Sequence, residues 1–119
     1  MEYMLMCCFD EKKWDAIPQE ERDGIMRRYG DWVDGLVKSG HYRTGGKLRP
    51  SSTATTLRPA KGRSSMLDGP FAETKEQLGG YHVVRCADLD EAMAIARRIP
   101  TLPAGGVVEV RPLEATLGR

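Results

Sequence analysis

The chain has 119 residues, enough for one domain with its own core and too few for two. Eighteen basic and seventeen acidic residues nearly cancel, to a net charge of +1, which excludes the positive field of a non-specific nucleic-acid binder. No cationic and apolar leader opens the sequence and no apolar run approaches the roughly 20 residues that span a bilayer, so a soluble, cytoplasmic protein without a membrane partner is expected.

In chain order, residues 3–9 are apolar at both alternating sets of positions, Tyr3/Leu5/Cys7/Phe9 and Met4/Met6/Cys8, the pattern of a strand covered on both faces. From Pro18 to Ser39, Ile25, Tyr29, Trp32 and Leu36 recur at helical spacing. Pro18 suits the first turn of that helix, Glu20 and Glu21 its positive end, and Gly40 its C-terminal cap. Between His41 and Arg58 the glycines, Pro50 and Ser51-Ser52 break the chain into a strand, a loop and a second strand over Thr53–Leu57; Gly45-Gly46 reads as a turn. Lys61-Gly62 is a hairpin turn into a strand over Arg63–Leu67, closed by the Asp68-Gly69-Pro70 turn. A strand over 78–86 follows. Asp88 with Glu91 caps a helix built on Leu89, Ala92, Met93, Ala96 and Ile99, and Pro100 ends it. After a loop over 101–106, with Gly105-Gly106 as a turn, the alternation of Val108/Val110 with Glu109/Arg111 gives a last strand over Val107–Leu113.

This order gives an α+β fold over residues 1–119, a ferredoxin-like β-α-β-β-α-β plan with an extra hairpin. Two helices cover one face of such a sheet, and a second copy of the chain is the economical cover for the other, so a homodimer is expected.

The run Asp68-Gly69-Pro70-Phe71-Ala72-Glu73-Thr74-Lys75-Glu76-Gln77-Leu78-Gly79-Gly80-Tyr81 exceeds what a turn requires. It resembles the DGPF-domain branch of the YCII-related family. The opening Tyr3-Met4-Leu5-Met6, Ala54-Thr55-Thr56-Leu57-Arg58, Asp88-Leu89-Asp90-Glu91-Ala92 and Val108-Glu109-Val110-Arg111-Pro112 are also similar to it. The resemblance implies a dimeric α+β barrel. It also implies a comparison: where the YciI-like branch carries an acid/base histidine this sequence has Tyr29, and where that branch has an aspartate it has Ile99.

The catalytic candidates are Asp68, Tyr29 and His82. Asp68 ends a strand beside a constrained turn, where its carboxylate either bonds its own backbone or enters a cleft. Tyr29 is a poor base at neutral pH but a donor to an oxyanion, or else a core ring with its hydroxyl satisfied. His82 is either a satisfied strand histidine or a proton carrier facing the barrel interior and titrating near 6.5. Arg111, Phe71 and Tyr81 are the ligand-binding candidates, with Arg111 suited to an anion if its face lines the barrel. With His41 and His82 the only histidines and three cysteines in no ligand spacing, no metal site is expected, and without a P-loop or dinucleotide fingerprint no cofactor. The functional expectation is a barrel cleft that binds a small organic metabolite and transfers protons. Its alternative is a non-enzymatic accessory or regulatory dimer, which the resemblance links to extracytoplasmic-function sigma factors, or a purely structural one.

Overall fold

The computed structural model describes residues 1–60, 63–70 and 75–118; of residue 60 and residues 63–68 it describes the backbone. The chain runs β1 (Glu2–Phe9), α1 (Glu11–Ala16), α2 (Gln19–Ser39), β2 (Tyr42–Lys47), a 3₁₀ turn (Ser51–Thr53), β3 (Thr55–Ala60), β4 (Arg63–Asp68), β5 (Gln77–Arg85), α3 (Leu89–Ala96) and β6 (Val107–Pro112). Four strands form one sheet in the order β2-β5-β1-β6, every neighbouring pair antiparallel. That is the ferredoxin-like order, and β3-β4 is the extra hairpin, paired from Thr55↔Asp68 to Ala60↔Arg63.

The helices form where the sequence supplies caps. In α2, Glu20 and Glu21 sit in the first turn, and Gly40 closes the helix at φ 80°, its N–H reaching the Val37 carbonyl while His41 reaches that of Leu36. Asp88 accepts from the Glu91 N–H at 2.9 Å and Glu91 reaches back to the Ala87 N–H at 3.0 Å, fixing the start of α3. Gly69 takes φ 103°, as its turn requires, and bonds the Ala54 carbonyl.

Two expectations need correction. A third helix, α1, is present, because Asp10 caps it through the N–H groups of Lys12 and Lys13 and the chain turns at Ile17-Pro18. Gly45-Gly46 is not a turn; both residues lie inside β2, paired with His82 and Tyr81.

The helices bury one face of the sheet. Leu5, Val84, Ile25 and Ile99 are fully buried there, each contributing roughly 1.5–3 kcal/mol, and Trp32 joins α2 to α3 by donating to the Ile95 carbonyl at 3.1 Å. Alternation along the paired strands puts Met4, Met6, Val83, Tyr81, Glu109 and Arg111 on the opposite face.

Candidate functional site

Three strands and one helix bring four polar side chains into one chain of hydrogen bonds. Leu5, Cys7, Val84 and His82 share the helix-facing side of the sheet, and Tyr29 comes down from α2 onto it. The Tyr29 hydroxyl lies 2.5 Å from His82 Nε2 and 3.2 Å from Cys7 Sγ. On the far side of the imidazole, His82 Nδ1 meets the Tyr42 hydroxyl at 2.7 Å. Gly45, opposite His82 in the register, makes this last bond possible: a methyl group there would collide with the Tyr42 hydroxyl and come within 2.8 Å of Nδ1.

His82 is 5% exposed and ringed by aromatics, with Trp32 edge-on at 5.0 Å between centroids, Tyr29 at 5.4 Å and Tyr42 at 5.6 Å. Burial disfavours the imidazolium and brings the pKa down from 6.5 to about 4, which corrects the expectation of titration near 6.5. Burial also pushes the Tyr29 hydroxyl well above its ordinary value, with the bond to Cys7 adding to the rise. The Cys7 thiol is raised by burial and partly brought back by its bond to Tyr29, while Tyr42 is raised by burial and by Tyr81. At neutral pH the array therefore carries no charge. A neutral imidazole has one donor and one acceptor, so the hydrogen atoms can run in two consistent directions, from Cys7 towards Tyr42 or from Tyr42 towards Cys7.

The array lines a cavity of about 490 Å³ between β1, β2, β5, α1 and α2. Phe9, Trp14, Met26, Leu48 and Pro50 give it apolar walls, and Glu11, Asp15, Lys47 and Gln77 add polar groups to its lining. The short helix α1 is part of that wall: Trp14 packs edge-on to Phe9 at 5.4 Å, and Glu11 is held by the Ser51 N–H at 2.8 Å and by the Ser51 hydroxyl. Gly79, the extra residue where β5 bulges against Cys7/Cys8, would meet only the Cys7 carbonyl at 3.7 Å if it carried a methyl group. A second depression of about 560 Å³ beside α2 has Arg28, Arg97, Arg98, Glu21 and Asp31 on its lining, all exposed, where water screens their charges. Among the described residues no three His, Cys, Asp or Glu side chains are placed to hold a metal ion.

Of the sequence candidates, Tyr29 and His82 meet in this cavity. His82 faces the helices rather than the free face of the sheet, a correction to the expected barrel-interior orientation, since it shares its side with buried Val84 and Cys7. Tyr81 and Arg111 are on the free face, Tyr81 packed against Gly46 and Arg111 exposed beside Met4. Asp68 ends β4 as anticipated; its side chain, and the whole of Phe71, lie outside the described residues. Ile99 is buried in the core with no exposed surface, so no polar group accompanies Tyr29 from that position. Cys7 and Tyr42 were missed. Tyr42 pairs with Val84 across a register shift in β2, three residues before the glycine opposite His82, and no local pattern in the sequence signals that placement.

The profile of the YCII-related domain matches residues 1–115. The chain belongs to the YCII-related family. This YCII-related protein is 40% identical over 114 residues to an uncharacterized protein of Rhizobium meliloti (strain 1021), a match covering 95% of this chain and 92% of the relative. Among solved structures it is similar to the 5-chloro-2-hydroxyhydroquinone dehydrochlorinase of Burkholderia phenoliruptrix AC1100 in complex with 2,5-dihydroxybenzoquinone. That likeness has a TM-score of 0.56 at 13% identity and covers 98% of this chain and 96% of the other, and it supports the YCII-related fold alone. Neither relative bears on an association with a sigma factor.

Proposed function

We propose that this YCII-related protein binds a small, planar, hydroxylated organic metabolite in the cavity above His82 and exchanges a proton with it. The observation that carries the reading is the imidazole held uncharged between the hydroxyls of Tyr29 and Tyr42 on the lining of a cavity that also has apolar walls. Such a site fits a ring by its faces, against Phe9, Trp14 and Met26, and orients it by one oxygen. Because the array carries no charge and His82 resists protonation, it favours donating a hydrogen bond to an oxygen that becomes negative over acting as a strong base. The ligand found in the structural relative is of this chemical kind, which suggests the first probe.

The sheet face away from the helices supports assembly as a homodimer, with the half-buried Met4, Met6 and Tyr81 at the centre of the contact and Arg111 and Glu109 beside them. A cytoplasmic location agrees with the three cysteines, all free. No helix among the described residues is long and apolar enough to cross a membrane.

Titration with 2,5-dihydroxybenzoquinone and with hydroquinone, followed by amide and side-chain NMR, tests the site. Saturable shifts at Phe9, Tyr42 and His82 are expected. Unchanged resonances there at millimolar concentration of both compounds refute the reading. Light scattering tests the assembly, which predicts twice the 13.2 kDa chain mass.

A further inference from the structure

The four groups of the array are not equivalent. Among the described residues the Tyr29 hydroxyl has two partners, Cys7 Sγ and His82 Nε2, whereas the Tyr42 hydroxyl has one, His82 Nδ1, and so keeps hydrogen-bonding capacity for a molecule in the cavity. The far end of the array is a buried thiol, the most acidic of its neutral groups by ordinary values.

We infer that Tyr42 is the group that delivers a proton to the bound ring, and that Cys7 supplies it through Tyr29 and His82. In the resting state the Cys7 S–H donates to the Tyr29 oxygen, the Tyr29 O–H to His82 Nε2, and His82 Nδ1–H to the Tyr42 oxygen, which leaves the Tyr42 O–H pointing at the ligand. When a ring carbon or oxygen accepts that hydrogen, the new bond forms as the Tyr42 O–H bond breaks. Tyr42 is refilled from Nδ1, Nε2 takes the Tyr29 hydrogen, and Tyr29 takes that of Cys7. His82 passes from one neutral tautomer to the other and stays uncharged; the negative charge is left on sulfur, where burial disfavours it and the hydrogen bond donated by the Tyr29 hydroxyl stabilises it. Cys7 lines the same cavity and recovers its proton from water or from the hydrogen the ring sheds. The arrangement backs Tyr42 with the proton of a thiol whose acidity burial lowers and the bond to Tyr29 partly restores. Tyr42 is thus the catalytic residue, and His82, Tyr29 and Cys7 act through it.

This inference rests on the cavity reading above, and three measurements separate the two. In ligand-free protein labelled with ¹⁵N-histidine, the relay requires neutral His82 to carry its hydrogen on Nδ1 at pH 7; hydrogen on Nε2 overturns the relay and leaves the cavity reading standing. The second probe is 1,3,5-trihydroxybenzene in deuterium oxide, whose ring hydrogens exchange by protonation at carbon, a reaction read by proton NMR. The wild type is expected to accelerate exchange, Tyr42→Phe to return it to the uncatalysed rate, and Cys7→Ala to lower it by about a hundredfold. Cys7→Ser, which can pass a hydrogen but holds charge poorly, should recover part of the loss. The third measurement is the binding of the same probe, from its induced shifts at Phe9, together with the melting temperature of each variant. Bound probe with equal exchange in wild type and a folded Cys7→Ala variant overturns the relay alone, and no binding by the wild type overturns the cavity reading with it.

Discussion

Acidification from pH 7 to pH 4 should cost this protein about 3 kcal/mol through His82 alone. In the folded chain the imidazole stays uncharged until about pH 4 because burial among Trp32, Tyr29 and Tyr42 denies the cation its water. In the unfolded chain it takes its proton near 6.5. Between those values the unfolded state binds more protons, so stability falls as the pH falls through that window and the loss stops growing below pH 4. The gap between 6.5 and about 4, at roughly 1.4 kcal/mol per tenfold, gives about 3.5 kcal/mol in full, of which about 3 kcal/mol is lost by pH 4, a large share of the roughly 5–15 kcal/mol that holds a domain of this kind together. Urea denaturation at a series of pH values, on the wild type and on His82→Gln, isolates the effect, because every carboxylate contribution is common to both proteins. Relative to the variant's, the wild-type curve should lose about 1 kcal/mol for each pH unit between 6 and 4. An NMR titration of the His82 ring proton gives the same quantity without a mutation. A midpoint at or above pH 6, or parallel stability curves, would refute the account of the buried imidazole.

Other outcomes follow from the same contacts. Gly45→Ala should break the Tyr42–His82 bond and cost about 1–3 kcal/mol, because the added methyl meets the Tyr81 carbonyl at 2.7 Å as well as the tyrosine hydroxyl; an unchanged His82 Nδ1 resonance would contradict this. Trp32→Phe removes one donor to the Ile95 carbonyl, the Arg98 N–H at 3.2 Å remaining, and should lower stability by about 1 kcal/mol in urea denaturation. Asp88→Ala removes the cap of α3 at a cost of about 1 kcal/mol and, being far from the cavity, should leave probe binding unchanged in the NMR titration.

The two longer helices and the last strand were legible because their signals are local. Ile25, Trp32 and Leu36 recur on one face of α2, and they are its buried residues. The Asp88/Glu91 cap and the Val108/Val110 alternation gave the boundaries of α3 and β6 within a few residues. The short helix α1 was not legible, since six residues with no buried member present no apolar stripe, and its helicity comes from a cap and from the contact of Trp14 with Phe9. Gly45 and Gly46 were misread because glycine usually marks a turn, whereas here one makes room for a hydroxyl and the other for the Tyr81 ring. The site was half legible. Tyr29 and His82 stood out by residue type, but they are 53 positions apart, and the partners Cys7 and Tyr42 come from two further strands whose register no local pattern fixes.

The chain contains only two tryptophans, and the fold has given them separate posts. Trp14 stands in the cavity wall, while Trp32 leans its edge on His82 in the core. An imidazolium ion quenches indole emission and a neutral imidazole does so weakly, so the fluorescence of Trp32 registers the protonation of the array and that of Trp14 registers occupancy. Filling the site and charging it are thereby separately visible by light in the unlabelled protein, each readable in the variant where the other indole has been replaced by phenylalanine.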